Sequence, residues 1–113
     1  MKKRCSEEFM KKFQNIRIAG AIHEPHKTNI KKWGWPGEIP SFILSRERDN
    51  KHDPNAVGIY FLRDRMGYVD KERAAKLAPL MDAGHKFDAL LIKRNTCDWE
   101  NNVGLTVTIV EVP

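Results

Sequence analysis

Two cysteines, Cys5 and Cys97, are the only thiols in this chain, and neither has a second thiol near it in sequence. That pattern gives no disulfide framework and no thiolate zinc site, and it suits a reducing compartment. No apolar run approaches the roughly 20 residues that a membrane span needs. The opening MKKRCSEEFMKK is basic but has no hydrophobic stretch behind it, so it does not read as a secretory signal and a cytoplasmic location is expected. A GxxxxGK[ST] loop is missing, and with it any visible means of using ATP. Internal repeats, low-complexity tracts and a second domain are also lacking.

What remains is an ordinary globular composition, with 41% hydrophobic and 31% charged residues in 113. A chain of that length buries a modest core without metals or cross-links. The formal net charge of +5 leans towards polyanionic partners. It leans moderately, because fifteen acidic residues are interleaved with twenty basic ones.

Ser6 can cap a short helix with Glu7 and Glu8 in its first turn and Phe9 and Phe13 on one side. Residues 1–15 read as a basic, helical extension and 16–113 as one β-rich domain. QNIRIAGAIHE alternates enough for a strand, with Gly20 as a bulge or close-approach point. Pro25 to Pro40, rich in Lys, Gly, Pro and Trp, is the part least expected to be regular. SFILSRE and AVGIYFL read as strands, and RDRM as a hairpin turn into GYV. DKERAAKLAPLMDAG reads as the one clear internal helix, with Asp70 as N-cap, Gly84 as stop, and Pro79 expected to kink or restart it. FDALLIKR and VGLTVTIVEV add two strands around the polar turn NTCDWENN. Five or so strands, one or two short helices and no βαβ alternation predict a small, mainly antiparallel OB-like β-barrel.

The side chains that could carry chemistry are few. His23 and His26 lie three apart, and His52 with Asp53 would complete a set of metal-ligand types. No established scaffold such as HExxH holds them, so surface histidines are the simpler reading and no metal is expected. Asp49 and Asp53 could pair as acid and base, but no nucleophile or second acid stands at a telling spacing, and catalysis is not expected. Trp33 and Trp35, beside Lys31 and Lys32 in KKWGWPG, have the mixture that single-stranded nucleic acid binding uses: cations on phosphates, rings stacked on bases. The same tryptophans could instead plug an end of the barrel.

The stretch RERDNKHDPNAVGIYF concentrates Asp49, Asn50, His52, Asp53 and Asn55 in one loop. FILSRERDNKHDPNAVGIYF, followed by MGYVDKERAAKLAPLMDAG, resembles the HIRAN domain, found in certain DNA translocases and as a stand-alone bacterial protein. The pattern is a strand ending in Arg-Glu, an Asp-Pro-Asn-Ala loop, a strand, a Gly-aromatic pair and an Ala/Leu-rich helix. It covers roughly Ile16 to Val112 and is most specific from Arg46 to Leu80. The resemblance implies an OB-like barrel that recognises single-stranded DNA at a free 3′ end, without a cofactor. A helicase or translocase supplied by another chain is a partner it allows.

The resemblance gives the loop a physical reading. A carboxylate repels phosphate, so an acidic residue in a DNA site makes sense where phosphate is absent, as at a terminal 3′-hydroxyl. Asp53 is then the end-reader, with Asn50 and His52 lining the same pocket and Gly67 and Tyr68 beside it. Gly67 would let a nucleotide approach the backbone, and Tyr68 would stack on a base or donate to a phosphate. Arg46 and Arg48 would contact phosphates. Plainer readings stand alongside: an Asp before Pro54 closes an Asx-turn, and Asn55 ties down the loop. The sequence also departs from the family after Gly20, where GAIHEPHK puts Ile22 and His23 near the base-stacking positions and adds the charge of Glu24. His23, Trp33 or Trp35 would have to supply the stacking. The alternative function is a protein-interaction or self-associating domain that keeps the fold without binding DNA ends.

Overall fold

The structure is a computed structural model that describes residues 4–97 and 102–113. Within them the order is α1 (Glu7–Lys11), β1 (Ile16–Arg17), α2 (His26–Trp33), β2 (Ser41–Arg46), β3 (Val57–Phe61), β4 (Asp64–Tyr68), α3 (Lys71–Asp82), β5 (Lys86–Cys97) and β6 (Asn102–Val112). Residues 98–101 of the polar turn between β5 and β6 lie outside the described residues.

All six strands form one antiparallel sheet in the order β1-β6-β5-β2-β3-β4. The sheet curls until its two edges meet. Beyond β1, the Ala19 N–H donates to the Tyr68 carbonyl at 2.7 Å, and the Tyr68 N–H to the Ala19 carbonyl at 2.9 Å. The OB-like barrel expected from the sequence is therefore closed, at one corner, by a single residue pair. Alternation fills its interior: Phe42 and Leu44 from β2, Val57 and Ile59 from β3, Phe87, Ala89 and Leu91 from β5, and Leu105, Val107 and Ile109 from β6 are buried. Period-two alternation places every second side chain on the inner face.

The N-terminal segment packs on this barrel. Ser6 Oγ accepts the Phe9 N–H at 3.1 Å as the expected cap, and Phe13 is fully buried in the core. Helix α3 starts at its Asp70 cap, where the side chain accepts the Arg73 N–H, and ends at Gly84, whose φ of 100° a β-carbon would oppose. It runs through Pro79 as one helix, without the expected restart.

Four stretches depart from the sequence reading. Asn95, Thr96 and Cys97, expected in the polar turn NTCDWENN, continue β5 by pairing with Gly104, Val103 and Asn102 of β6. Strand character after Gln14 is confined to Ile16–Arg17 and the Ala19 bridge, because Gly20 (φ 80°) turns the chain out of the sheet. His26 to Trp33, expected to be irregular, is helical. The Glu24 carboxylate makes the start possible by accepting both the N–H and the hydroxyl of Thr28, at 2.8 and 2.6 Å. The turn between β3 and β4 is Leu62–Arg63 and not RDRM, so Asp64, Arg65 and Met66 lie in β4. A bulge there sets Tyr60 opposite Arg65 and Ile59 opposite Gly67.

Candidate nucleic-acid interface

The loop between β2 and β3 is tied at its base, where the Glu47 N–H donates to the Ala56 carbonyl at 2.9 Å. Asn50 organises its interior. Its side-chain oxygen accepts the N–H groups of His52 (2.9 Å) and Asp53 (3.1 Å), and its amide nitrogen donates to Glu47 Oε1 at 3.3 Å. Asp53 Oδ1 accepts the Asn55 N–H at 2.9 Å, which is the Asx-turn expected before Pro54. No donor among the described residues meets Asp53 Oδ2. One carboxylate oxygen holds the turn and the other is uncommitted.

Against this loop lies a cavity of about 330 Å³, lined by Asn50, His52, Asp53 and Ala56 on one side and Ala19, Tyr68, Val69 and Lys71 on the other. The fold thus brings four of the five residues of the expected end-binding pocket to one concave site at the corner where the barrel closes. Gly67 is the exception. It is buried, with a φ of 153°, and a β-carbon there would come within 2.7 Å of the Ala19 carbonyl. The close approach that needs a glycine is made by the protein's own backbone.

Glu47 is the polar centre behind the cavity. Its carboxylate accepts the Tyr68 hydroxyl at 2.9 Å, the Tyr60 hydroxyl, and a contact from Arg65 at 3.4 Å. Arg65 Nε donates to His26 Nε2 at 2.7 Å, so that nitrogen carries no proton and Nδ1–H donates to the Gly20 carbonyl at 2.8 Å. Burial favours the neutral form of Glu47. The hydrogen bonds from Tyr60, Tyr68 and Asn50 and the charge of Arg65 outweigh it and hold its pKa below the ordinary carboxylate value. Burial, and then Glu47, push the Tyr68 hydroxyl up. That hydroxyl is committed as a donor to Glu47 and has no proton left for a phosphate. What Tyr68 offers the cavity is its ring, with Arg65 4.8 Å from its centroid and the His26 ring nearly perpendicular to it at a centroid distance of 5.5 Å.

The expected phosphate and base contacts lie elsewhere. Arg46 forms a bidentate pair with Asp82 of α3 at 3.0 and 3.3 Å and donates to the Ala56 carbonyl, clamping the base of the loop. Arg48 also reaches Asp82, at 2.9 Å, but its side chain is 68% exposed. His23, Lys31 and Lys32 are exposed. Trp33 donates to Asp64 at 2.7 Å and packs on Phe61, the plugging role. Trp35 is 45% exposed, with the Arg94 guanidinium 3.8 Å over its ring. Both tryptophans sit at the far end of α2 from His26, about 12 Å along an eight-residue helix, and so away from the cavity. A second groove of about 340 Å³ runs from Gly20, Ala21 and exposed Ile22 to Asn95, Thr96 and Gly104, with Arg17 at its side.

Sequence reasoning did not single out Glu47, Arg65, His26 or Lys71 for the site. Glu47 stood inside the Arg-Glu pair that the resemblance already contained. Arg65 was hidden by the misplaced turn.

Comparison with curated proteins gives no match. Among solved structures, the chain is similar to a protein from Lactobacillus plantarum, with a TM-score of 0.63 and 19% identity over 88% of this chain and 93% of that one. That likeness concerns the fold. The family model described as the HIRAN domain matches residues 38–110, which run from before β2 almost to the end of β6 and include the whole loop. HIRAN domains are generally DNA-binding modules, and this chain belongs to the HIRAN domain family.

Proposed function

We propose that this protein is a binding module for single-stranded DNA that receives a free 3′ end in the cavity between the β2–β3 loop and Tyr68, in DNA repair or fork processing, with no chemistry of its own. The observation that carries the reading is the convergence of Asn50, His52, Asp53 and Tyr68 on one cavity, with one Asp53 oxygen uncommitted. A terminal 3′-hydroxyl is a neutral donor that this oxygen can accept. A 3′-phosphate or a continuing strand would bring negative charge against it. The Tyr68 ring supplies an apolar wall for the last base or sugar, and Lys71 a cation for the preceding phosphate. Ala19 lines the cavity and Gly20 to Ile22 line the neighbouring groove, so the strand would leave over this ridge. Ile22 offers only aliphatic contact there.

Anisotropy titrations with one oligonucleotide ending in 3′-hydroxyl or in 3′-phosphate test the proposal. Tighter binding of the hydroxyl end is expected, and equal binding would refute end recognition. A second reading, a protein-interaction or self-associating domain, has its own observation. Ile43, Leu90 and Ile92 are exposed on the outer faces of β2 and β5. Concentration-dependent sedimentation without any oligonucleotide binding would favour it.

A further inference from the structure

Cys5, isolated in sequence, is not isolated in the fold. The segment before α1 crosses the ends of β5 and β6, and there Cys5 Sγ lies 4.0 Å from Nδ1 of His85, a residue 80 positions away. The same Nδ1 is 2.7 Å from Glu111 Oε2, while Glu111 Oε1 accepts the Cys5 N–H at 2.8 Å. One donor atom from each residue falls within 4.8 Å of the others, and all three residues are half-buried. None of them belongs to the DNA cavity.

A Cys-His-carboxylate set has two chemical uses, and geometry separates them. A nucleophile relay needs the thiol on one imidazole nitrogen and the carboxylate on the other. Here thiol and carboxylate both address Nδ1, so the three groups converge on a point. Convergence is what a cation requires. Zinc bonds of about 2.3 Å to sulfur and 2.0–2.1 Å to nitrogen and oxygen, at tetrahedral angles, place ligand atoms about 3.3–3.6 Å apart. Measured from Nδ1, that moves the sulfur, now at 4.0 Å, inward and the carboxylate oxygen, now at 2.7 Å, outward by about half an ångström each. It draws sulfur and carboxylate, now within 4.8 Å, together by at most about 1.2 Å. Surface cavities on two sides, both bordered by Glu111 and Arg4, leave room for a water as fourth ligand. The competing cation is Arg4, whose Nε is 4.0 Å from Glu111 Oε1 and whose side chain is mostly exposed.

We propose that Cys5 Sγ, His85 Nδ1 and a Glu111 carboxylate oxygen form a three-ligand site for a zinc-type divalent cation, independent of the DNA-end cavity. Thiolate and imidazole ligands select zinc over magnesium or calcium. Binding displaces the thiol proton and leaves the imidazole proton on Nε2, so affinity falls as pH falls. The bound ion would fasten the N-terminal segment to the α3–β5 turn and the end of β6.

The test uses the full chain, stripped with chelator and supplied with zinc or cobalt(II) chloride alone. Expected are one zinc per chain retained through desalting, a zinc-dependent rise in Tm, and a thiolate-to-cobalt absorption band. Cys5→Ser should lose the band and the zinc-dependent rise while nearly keeping the metal-free Tm, since serine is close in size and can keep the polar contact to His85 at the edge of the core. Glu111→Gln should weaken retention, and Cys97→Ser or a His23→Ala, His52→Ala double variant should change neither readout. A wild-type chain with no band and no retained zinc would overturn the proposal. So would a band that survives Cys5→Ser, or one abolished by Cys97→Ser.

Discussion

Four donors converge on the Glu47 carboxylate, from Tyr60, Tyr68, Asn50 and Arg65, so this side chain holds both the loop and the ring that face each other across the cavity. Replacing it with Gln keeps the shape and removes the charge that makes those bonds strong. Glu47→Gln is expected to cost about 1.5–3 kcal/mol at pH 7, measured by urea unfolding. The pH dependence follows from the lowered pKa of Glu47. A carboxylate depressed in the folded state contributes stability above its unfolded pKa, near 4.3, and loses it as pH falls through the folded value. The difference between wild type and Glu47→Gln should therefore be present at neutral pH and shrink below about pH 4.3. Asn50 and Asp53 were legible in the sequence because amides and carboxylates before a proline advertise turns. Glu47 was not, since a strand-end glutamate looks the same whether it meets water or two tyrosines.

At the scale of elements, the loop is fixed to α3 through Arg46 and Asp82. The Arg46 side chain is 11% exposed and also holds the Ala56 carbonyl, whereas that of Arg48, on the same carboxylate, is 68% exposed. Arg46→Ala should lower stability by about 1.5–3 kcal/mol, because charged and partly buried hydrogen bonds are lost. Arg48→Ala should cost about 0–1 kcal/mol, as exposed pairs do. Thermal or urea unfolding of the two variants distinguishes a clamp from a solvated ion pair, and equal costs would contradict this assignment. The elements differ in how well the sequence announced them. Helix α3 carries a cap, an apolar stripe and a stop glycine, all in the local sequence. Helix α2 has Pro25 at its N-cap and buries only His26 and Ile30, too little periodicity to read, and its start depends on Glu24 reaching Thr28.

For the whole molecule, the alternating runs made an antiparallel barrel readable, because period two on one face requires a core to cover it. Strand order and the Ala19–Tyr68 closure were not readable, since pairings between distant segments leave no local signature. The core is small enough that one large cavity matters. Phe42→Ala, at a fully buried position, should cost about 3–5 kcal/mol, much of a total of about 5–15, and leave a chain partly unfolded by calorimetry. The charge distribution makes its own prediction. Binding carried by phosphate contacts, with Lys71 as the cation at the cavity, should weaken with salt, with a slope of roughly −0.7 per phosphate contacted. A slope near zero would speak against a nucleic-acid surface.

The reading of the cavity rests on Asp53, and the most direct measurement is the affinity ratio between 3′-hydroxyl and 3′-phosphate oligonucleotides for wild type, Asp53→Ala and Asp53→Asn. Asp53→Asn keeps an acceptor for the Asn55 N–H and removes the charge, so it separates the Asx-turn from end recognition. With Tm measured alongside, wild type should prefer the hydroxyl end, and Asp53→Ala should lose about 1.5–3 kcal/mol of that preference. Asp53→Asn should lose most of it while staying folded, and binding to internal stretches should hold steady or improve in both. A folded Asp53→Ala or Asp53→Asn protein that prefers the free 3′ end as strongly as wild type would show that Asp53 closes a turn and reads nothing.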